Sequence, residues 1–249
     1  MRLLRLYLLP VLLLSLTACG LLREPEEASA PIEAVPLVIE PTTAPVEAPA
    51  EATTEGEVEK TATGEPAPAG ELLIYAIDPN QSQVRFELGE DLRGQRTAVV
   101  GVTNQVAGEL ALNLSDLSST QVGVIQINAR TLATDNNFRN RAIHNEILHT
   151  GAYEFITFTP TGVEGLPAAA EPGDEVSFAI TGDLTIREIS RPVTFNVTAT
   201  AVSPERIEGT ATSAVNRADF DLRIPQVRHV ANVDEQVQLT INFVANATS

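Results

Sequence analysis

Apolar and polar residues alternate with period two over most of the C-terminal two-thirds of the chain. Val176, Phe178, Ile180, Gly182, Leu184 and Ile186 fall on one face, opposite Ser177, Ala179, Thr181, Asp183, Thr185 and Arg187. Val193, Phe195, Val197, Ala199 and Ala201 alternate with threonines and an asparagine, and Val237, Leu239, Ile241 and Phe243 with glutamines, Thr240 and Asn242. Val106, Gly108, Leu110, Leu112 and Leu114 make a fourth such run. This period belongs to strands with one buried face. Further strands are expected near 73–78, 83–88, 97–103, 121–130, 155–160 and 206–214. The turn from Arg187 to Pro192 joins two long strands as a hairpin, with Pro192 opening the second. Many short strands and no βαβ alternation predict an all-β sandwich or closed barrel over residues 71–249.

One stretch departs from this period. Phe138, Ala142, Ile143, Ile147 and Leu148 recur at helical spacing behind the capping residues Asp135 and Asn136. One short helix is expected near 136–148, lying over or beside the sheet.

The first seventy residues follow other rules. Arg2 and Arg5 precede an apolar run from Leu6 to Leu16, too short for the roughly 20 residues of a membrane span and right for a secretory signal over 1–18. Leu16-Thr17-Ala18-Cys19-Gly20 is similar to a bacterial lipobox. The resemblance implies cleavage before Cys19, lipid attachment there and an exported protein anchored to the bacterial cell membrane. Residues 20–70 hold 8 Pro, 10 Ala, 11 Glu and 6 Thr and no aromatic residue. That composition buries too little apolar surface to offset its ordering entropy, so 19–70 is expected to be a lipidated Cys and a disordered tether.

Composition narrows the chemistry. With 16 Lys+Arg against 33 Asp+Glu the net charge is −17, and no stretch is basic, which argues against nucleic acid as a partner. A single Cys excludes an internal disulfide and a multi-cysteine zinc site. Lys60 is the only lysine, so a catalytic lysine in the folded part is excluded. No serine sits in a nucleophile elbow, and there is no Gly-rich phosphate loop. His144 and His149 are five apart, off the spacing that puts two ligands on one helix face. They and His229 are expected to be surface histidines, with no metal and no cofactor.

Four segments, in order, resemble the YceI-like, polyisoprenoid-binding domain family over about Tyr75 to Val244. They are Tyr75 to Phe86, Asn137 to Ile143 with Leu148, Tyr153 and Phe158, Gly182 to Ile186 with Arg191 to Thr194, and Asn216 to Leu222. Asn140, Glu154 and Glu188 depart from the family's frequent Asp, Pro and Gly. The resemblance implies an antiparallel, lipocalin-like barrel of about eight strands. Its elongated apolar cavity would take an isoprenoid chain or another long amphiphile. Phe86, Phe158, Phe178, Phe195, Val197, Phe220 and Phe243 are candidate wall residues, and Arg139 and Arg141 candidate head-group ligands. For each Phe, ordinary core packing is the competing role. For the arginines it is a salt bridge that seats the helix. The leading expectation is therefore a non-enzymatic, lipid-binding envelope lipoprotein. Two alternatives stay open: a barrel of the same fold filled by side chains, and an enzyme using the cavity as a substrate pocket. Cavity volume separates the first from binding.

Overall fold

The computed structural model describes residues 24–39 and 70–248. Residues 1–23, 40–69 and 249, with the signal and Cys19, lie outside the described residues. The strands are β1 (Leu73–Ile77), β2 (Gln83–Leu92), β3 (Gln95–Thr103), β4 (Val106–Ala107), β5 (Glu109–Asn113), β6 (Asp116–Val122), β7 (Ile125–Asn128), β8 (Phe155–Glu164), β9 (Glu175–Ile186), β10 (Ile189–Ser203), β11 (Arg206–Asn216), β12 (Val230–Ala231) and β13 (Gln236–Ala247).

Several of these are pieces of longer, bent strands. β1 and β2 both pair with β13, at its C-terminal and N-terminal halves. The stretch from β3 through β5 runs antiparallel to them, β3 on β2 and β5 on β1. β6 and β7 then pair back on β5 and β4. Counted as β1+β2, β3+β4+β5, β6+β7, β8, β9, β10, β11 and β13, the sheet is an eight-stranded antiparallel meander. Its pairings close into a circuit through β7–β8 and β13–β1. The breaks are bends and bulges, which let a sheet curl into a barrel. Closure is incomplete on one side. Among the described residues β7 pairs with β8, whereas β6 pairs with β5 alone, which leaves a seam between β6 and β8.

The expected helix is present as α1 (Asn137–Ala142), continued by a π-helical turn over Ile143–Ile147. Asn136 caps it, its Oδ1 accepting from the backbone N–H groups of Phe138 and Arg139. Arg139 donates to the buried carboxylate of Glu90 on β2 at 2.9 Å and to Asp135 at 2.5 Å, which seats the helix on the barrel. His144 is buried, not on the surface as expected, because the π turn rolls it inward. Its Nε2 donates to Leu132 O at 2.7 Å, and its Nδ1 has no partner. His149 and His229 are exposed.

Pro192 also departs from expectation. The β9–β10 hairpin turns in two residues, Arg187 and Glu188, so Pro192 is the fourth residue of β10 and faces Asp183. β10 joins β11 only from Asn196 onward. At Pro192 the strand has no second neighbour whose ladder would miss an N–H.

The third difference lies ahead of the barrel. Residues 24–39, expected within a free tether, run extended along its outside. Ser29 donates through N–H and Oγ to the Glu154 carboxylate at 2.8 and 2.7 Å. Arg130, itself paired with Glu154, reaches Glu26 at 3.1 Å. Ile32 is buried, and Leu37 N–H donates to Glu109 at 2.7 Å. A few apolar and charged anchors suffice to hold so short a strap, although its composition is that of a linker.

Candidate functional site

The barrel interior divides across its length. In the half nearest α1, Ile143, Leu148, Leu184, Ile186, Val193 and Phe220 form one packed cluster. Phe158 and Phe195 meet edge to face above it, with ring centroids 5.0 Å apart. Gly182 lies beneath Phe158. A side chain there would put its Cβ 2.4 Å from Thr159 O and 2.8 Å from Pro160 Cα.

Above the two rings the interior is hollow. The cavity has a volume of about 130 Å³. Phe158 and Phe195 form its floor, and Phe178, Val197, Ile241 and Phe243 line its walls. Leu110, Leu112, Leu114 and Leu117 of the β5–β6 hairpin line the far end. The β8–β9 connection, residues 165–174, crosses that end as a flap and adds Leu166, Ala170 and Asp174. Two backbone bonds pin the flap to the hairpin across the seam, Leu117 N–H to Ala168 O and Ala170 N–H to Leu114 O, both 2.9 Å. Gly165 and Gly173, at φ +87° and +100°, turn the chain into and out of it. Thr120 and Asp174 are the polar members of the lining. The Thr120 Oγ1 is buried with no hydrogen-bond partner.

Five of the seven candidate wall residues, Phe158, Phe178, Phe195, Val197 and Phe243, line this cavity. Phe220 is in the packed half, almost fully buried. Phe86 lies over the bare Cα of Gly101 and does not reach the cavity. Arg139 and Arg141 do not line it either. They sit on α1 at the packed end, where Arg139 is engaged by Glu90 and Asp135. The flap residues are those the sequence reading did not find. Their only signal is the apolar run Leu166-Pro167-Ala168-Ala169-Ala170 inside an irregular connection. Among the described residues no group of three or more His, Cys, Asp or Glu side chains is placed to hold a metal ion.

A family model described as the YceI-like domain matches residues 75–245, the whole circuit of strands and the helix. The chain belongs to the YceI-like domain family. No curated protein matches it in sequence. Among solved structures, the YceI-like barrel is similar to a polyisoprenoid binding domain from Saccharophagus degradans, with TM-score 0.57 and 13% identity over 71% of this chain and 99% of that one. It is also similar to BcnA of Burkholderia cenocepacia, with TM-score 0.55 and 17% identity over 68% of this chain and 99% of that one. At these identities the likeness is one of fold.

Proposed function

We propose that this YceI-like protein is a non-catalytic envelope lipoprotein that holds a polyisoprenoid or similar long amphiphile in its barrel. The observation that carries this reading is the hollow half of the barrel, lined by aliphatic and phenyl groups with two polar residues at one end. Such a lining suits a hydrocarbon chain with a small polar terminus. The lining holds no His, Cys, Ser or Lys, so it lacks the usual nucleophile–base pair. The polyisoprenoid binding domain of Saccharophagus degradans shares the fold. The lipobox-like run at Leu16–Cys19 supports the anchor.

One observation favours a second reading. About 130 Å³ falls short of the roughly 300–1,000 Å³ of an ordinary ligand pocket. A largely filled, structural barrel would have such a residual void. In the binding reading a long chain gains its extra room by displacing the flap, which is held to the hairpin by two backbone bonds.

Two measurements test the proposal. Mass spectrometry of the organic extract from the purified full chain should find an isoprenoid or long-chain amphiphile near one per protein. An extract empty of lipid, together with no uptake of added prenols, would leave the structural reading. Cys19→Ser should release the protein from membranes into the soluble fraction. Persistence with salt-washed membranes would refute the anchor.

A further inference from the structure

We propose that the cavity selects an uncharged, hydroxyl-terminated isoprenoid over its phosphorylated counterpart. The inference rests on the lipid-binding reading and specifies the ligand class within it.

The hollow opens toward one end only, because the other is packed around Phe220 and Ile143. A chain entering the cavity must leave its polar terminus at the flap end, beside Thr120 and Asp174. The elements that frame this end, residues 109–122 and 155–186, hold no Lys, Arg or His. They and the adjoining β10–β11 turn present Asp116, Glu171, Asp174, Glu175 and Glu205, all exposed. Arg206, which follows that turn, is engaged by the Glu208 carboxylate at 2.7 Å and Gln81 at 2.8 Å. The arginines that could have met a phosphate, Arg139 and Arg141, are on α1 at the packed end.

Chemistry at this mouth therefore separates the two head groups. A hydroxyl both donates and accepts, so it can satisfy the buried, unpartnered Thr120 Oγ1 or donate to the Asp174 carboxylate. A diphosphate is an anionic acceptor that meets several carboxylates and, among the described residues at this end, only Arg206, already paired with Glu208. Each acid–phosphate pair at contact distance in water disfavours binding by about fivefold, less salt screening.

The test titrates the full chain, stripped of lipid, with geranylgeraniol and with geranylgeranyl diphosphate at low salt, read by native mass spectrometry. The prenol should bind about tenfold or more tightly than the diphosphate, and the ratio should shrink as salt rises. Asp174→Asn/Glu175→Gln should bring the two affinities closer by strengthening diphosphate binding alone. The Asn side chain keeps an acceptor for the Glu171 N–H that Asp174 now holds at 2.9 Å. Thr120→Val should weaken the prenol. Diphosphate binding as tight as the prenol's overturns this inference and leaves the lipid-binding reading standing. Binding of neither overturns both.

Discussion

Val193 and Val197 lie on the same inward face of β10, four residues apart, both less than a tenth exposed. Val193 packs against the filled half, and Val197 lines the hollow. Enlarging each to Trp asks whether the hollow is real space. At about 24 cal/mol per Å³, a cavity of 130 Å³ costs the empty barrel about 3 kcal/mol relative to a filled interior. An indole at Val197 recovers part of that, against about 1–3 kcal/mol of strain from imperfect fit. The two terms nearly cancel. At about 2–4 °C per kcal/mol for a domain of this size, Val197→Trp should move Tm by no more than about 5 °C. Val193→Trp has no cavity term to recover and should lose the full strain, about 3 kcal/mol or more. Calorimetry on both variants, with lipid in the organic extract measured in parallel, checks the contrast. Val197→Trp should retain the fold and lose the lipid. Equal destabilisation by the two substitutions, or lipid undiminished in Val197→Trp, would refute the division of the barrel into packed and hollow halves.

Three further outcomes are expected. Glu154→Ala removes the acceptor of both Ser29 bonds and the partner of Asn128 and Arg130, so hydrogen exchange over residues 26–32 should accelerate, while the barrel loses about 1–3 kcal/mol; unchanged protection would mean that the strap is held elsewhere. Burial lowers the His144 pKa below its usual value and outweighs the hydrogen bond to Leu132 O, which raises it. The unfolded chain therefore binds the proton more readily, and stability should be full above the ordinary His value of about 6.5 and fall as pH drops through and below it. His144→Gln should flatten that part of the Tm–pH curve, and a curve of unchanged slope would assign the acid loss to other groups. Gly182→Ala drives a methyl into Thr159 O and Pro160 Cα and should cost about 1–3 kcal/mol, seen as a matching fall in Tm; a variant that melts with the wild type would show that β8 yields there.

The strands were legible because their period is imposed by burial. Three of the four alternating runs lie within single strands, β9, β10 and β13, and the fourth, Val106 to Leu114, is divided between β4 and β5. The bends were not legible, since β1 and β2, or β6 and β7, are interrupted by pairing geometry that sequence period does not encode. The same limit explains the site. Phe178, Phe195, Val197 and Phe243 lie on faces that alternation identifies as inward. Whether an inward residue meets packing or empty space depends on side chains from distant strands, so Phe220 and Val197 looked alike. Charge singles out Arg139 and Arg141 in the sequence but does not say what it meets; in the fold Arg139 pairs with Glu90 and Asp135. Glu154 stands where the family resemblance led one to expect Pro, and in the fold it is the acceptor that ties down the strap. Composition alone had assigned that strap to a free linker.

The helix and the flap complete one argument about access. α1 and its π turn are fixed to the barrel by Arg139–Glu90 and by the buried His144 bonded to Leu132 O, and their apolar residues join the packed cluster. Opening that end would expose this cluster and break a part-buried ion pair, a loss of several kcal/mol. The flap, by contrast, is held by three backbone bonds, two to the β5–β6 hairpin and one from Gly173 N–H to Ala201 O on β10, and contributes only Leu166 and Ala170 as apolar groups to the cavity. Lifting it costs about 1 kcal/mol for each bond exchanged with water, plus the modest apolar area of those two side chains. The seam between β6 and β8 needs no ladder bond broken, because none spans it among the described residues. The easier path into the hollow is therefore at the flap, and the same movement supplies the length that 130 Å³ lacks. A disulfide introduced between flap and hairpin, at Ala168→Cys and Leu117→Cys, should block lipid uptake when oxidised and restore it when reduced. Uptake at equal rates in both redox states would place the entrance elsewhere.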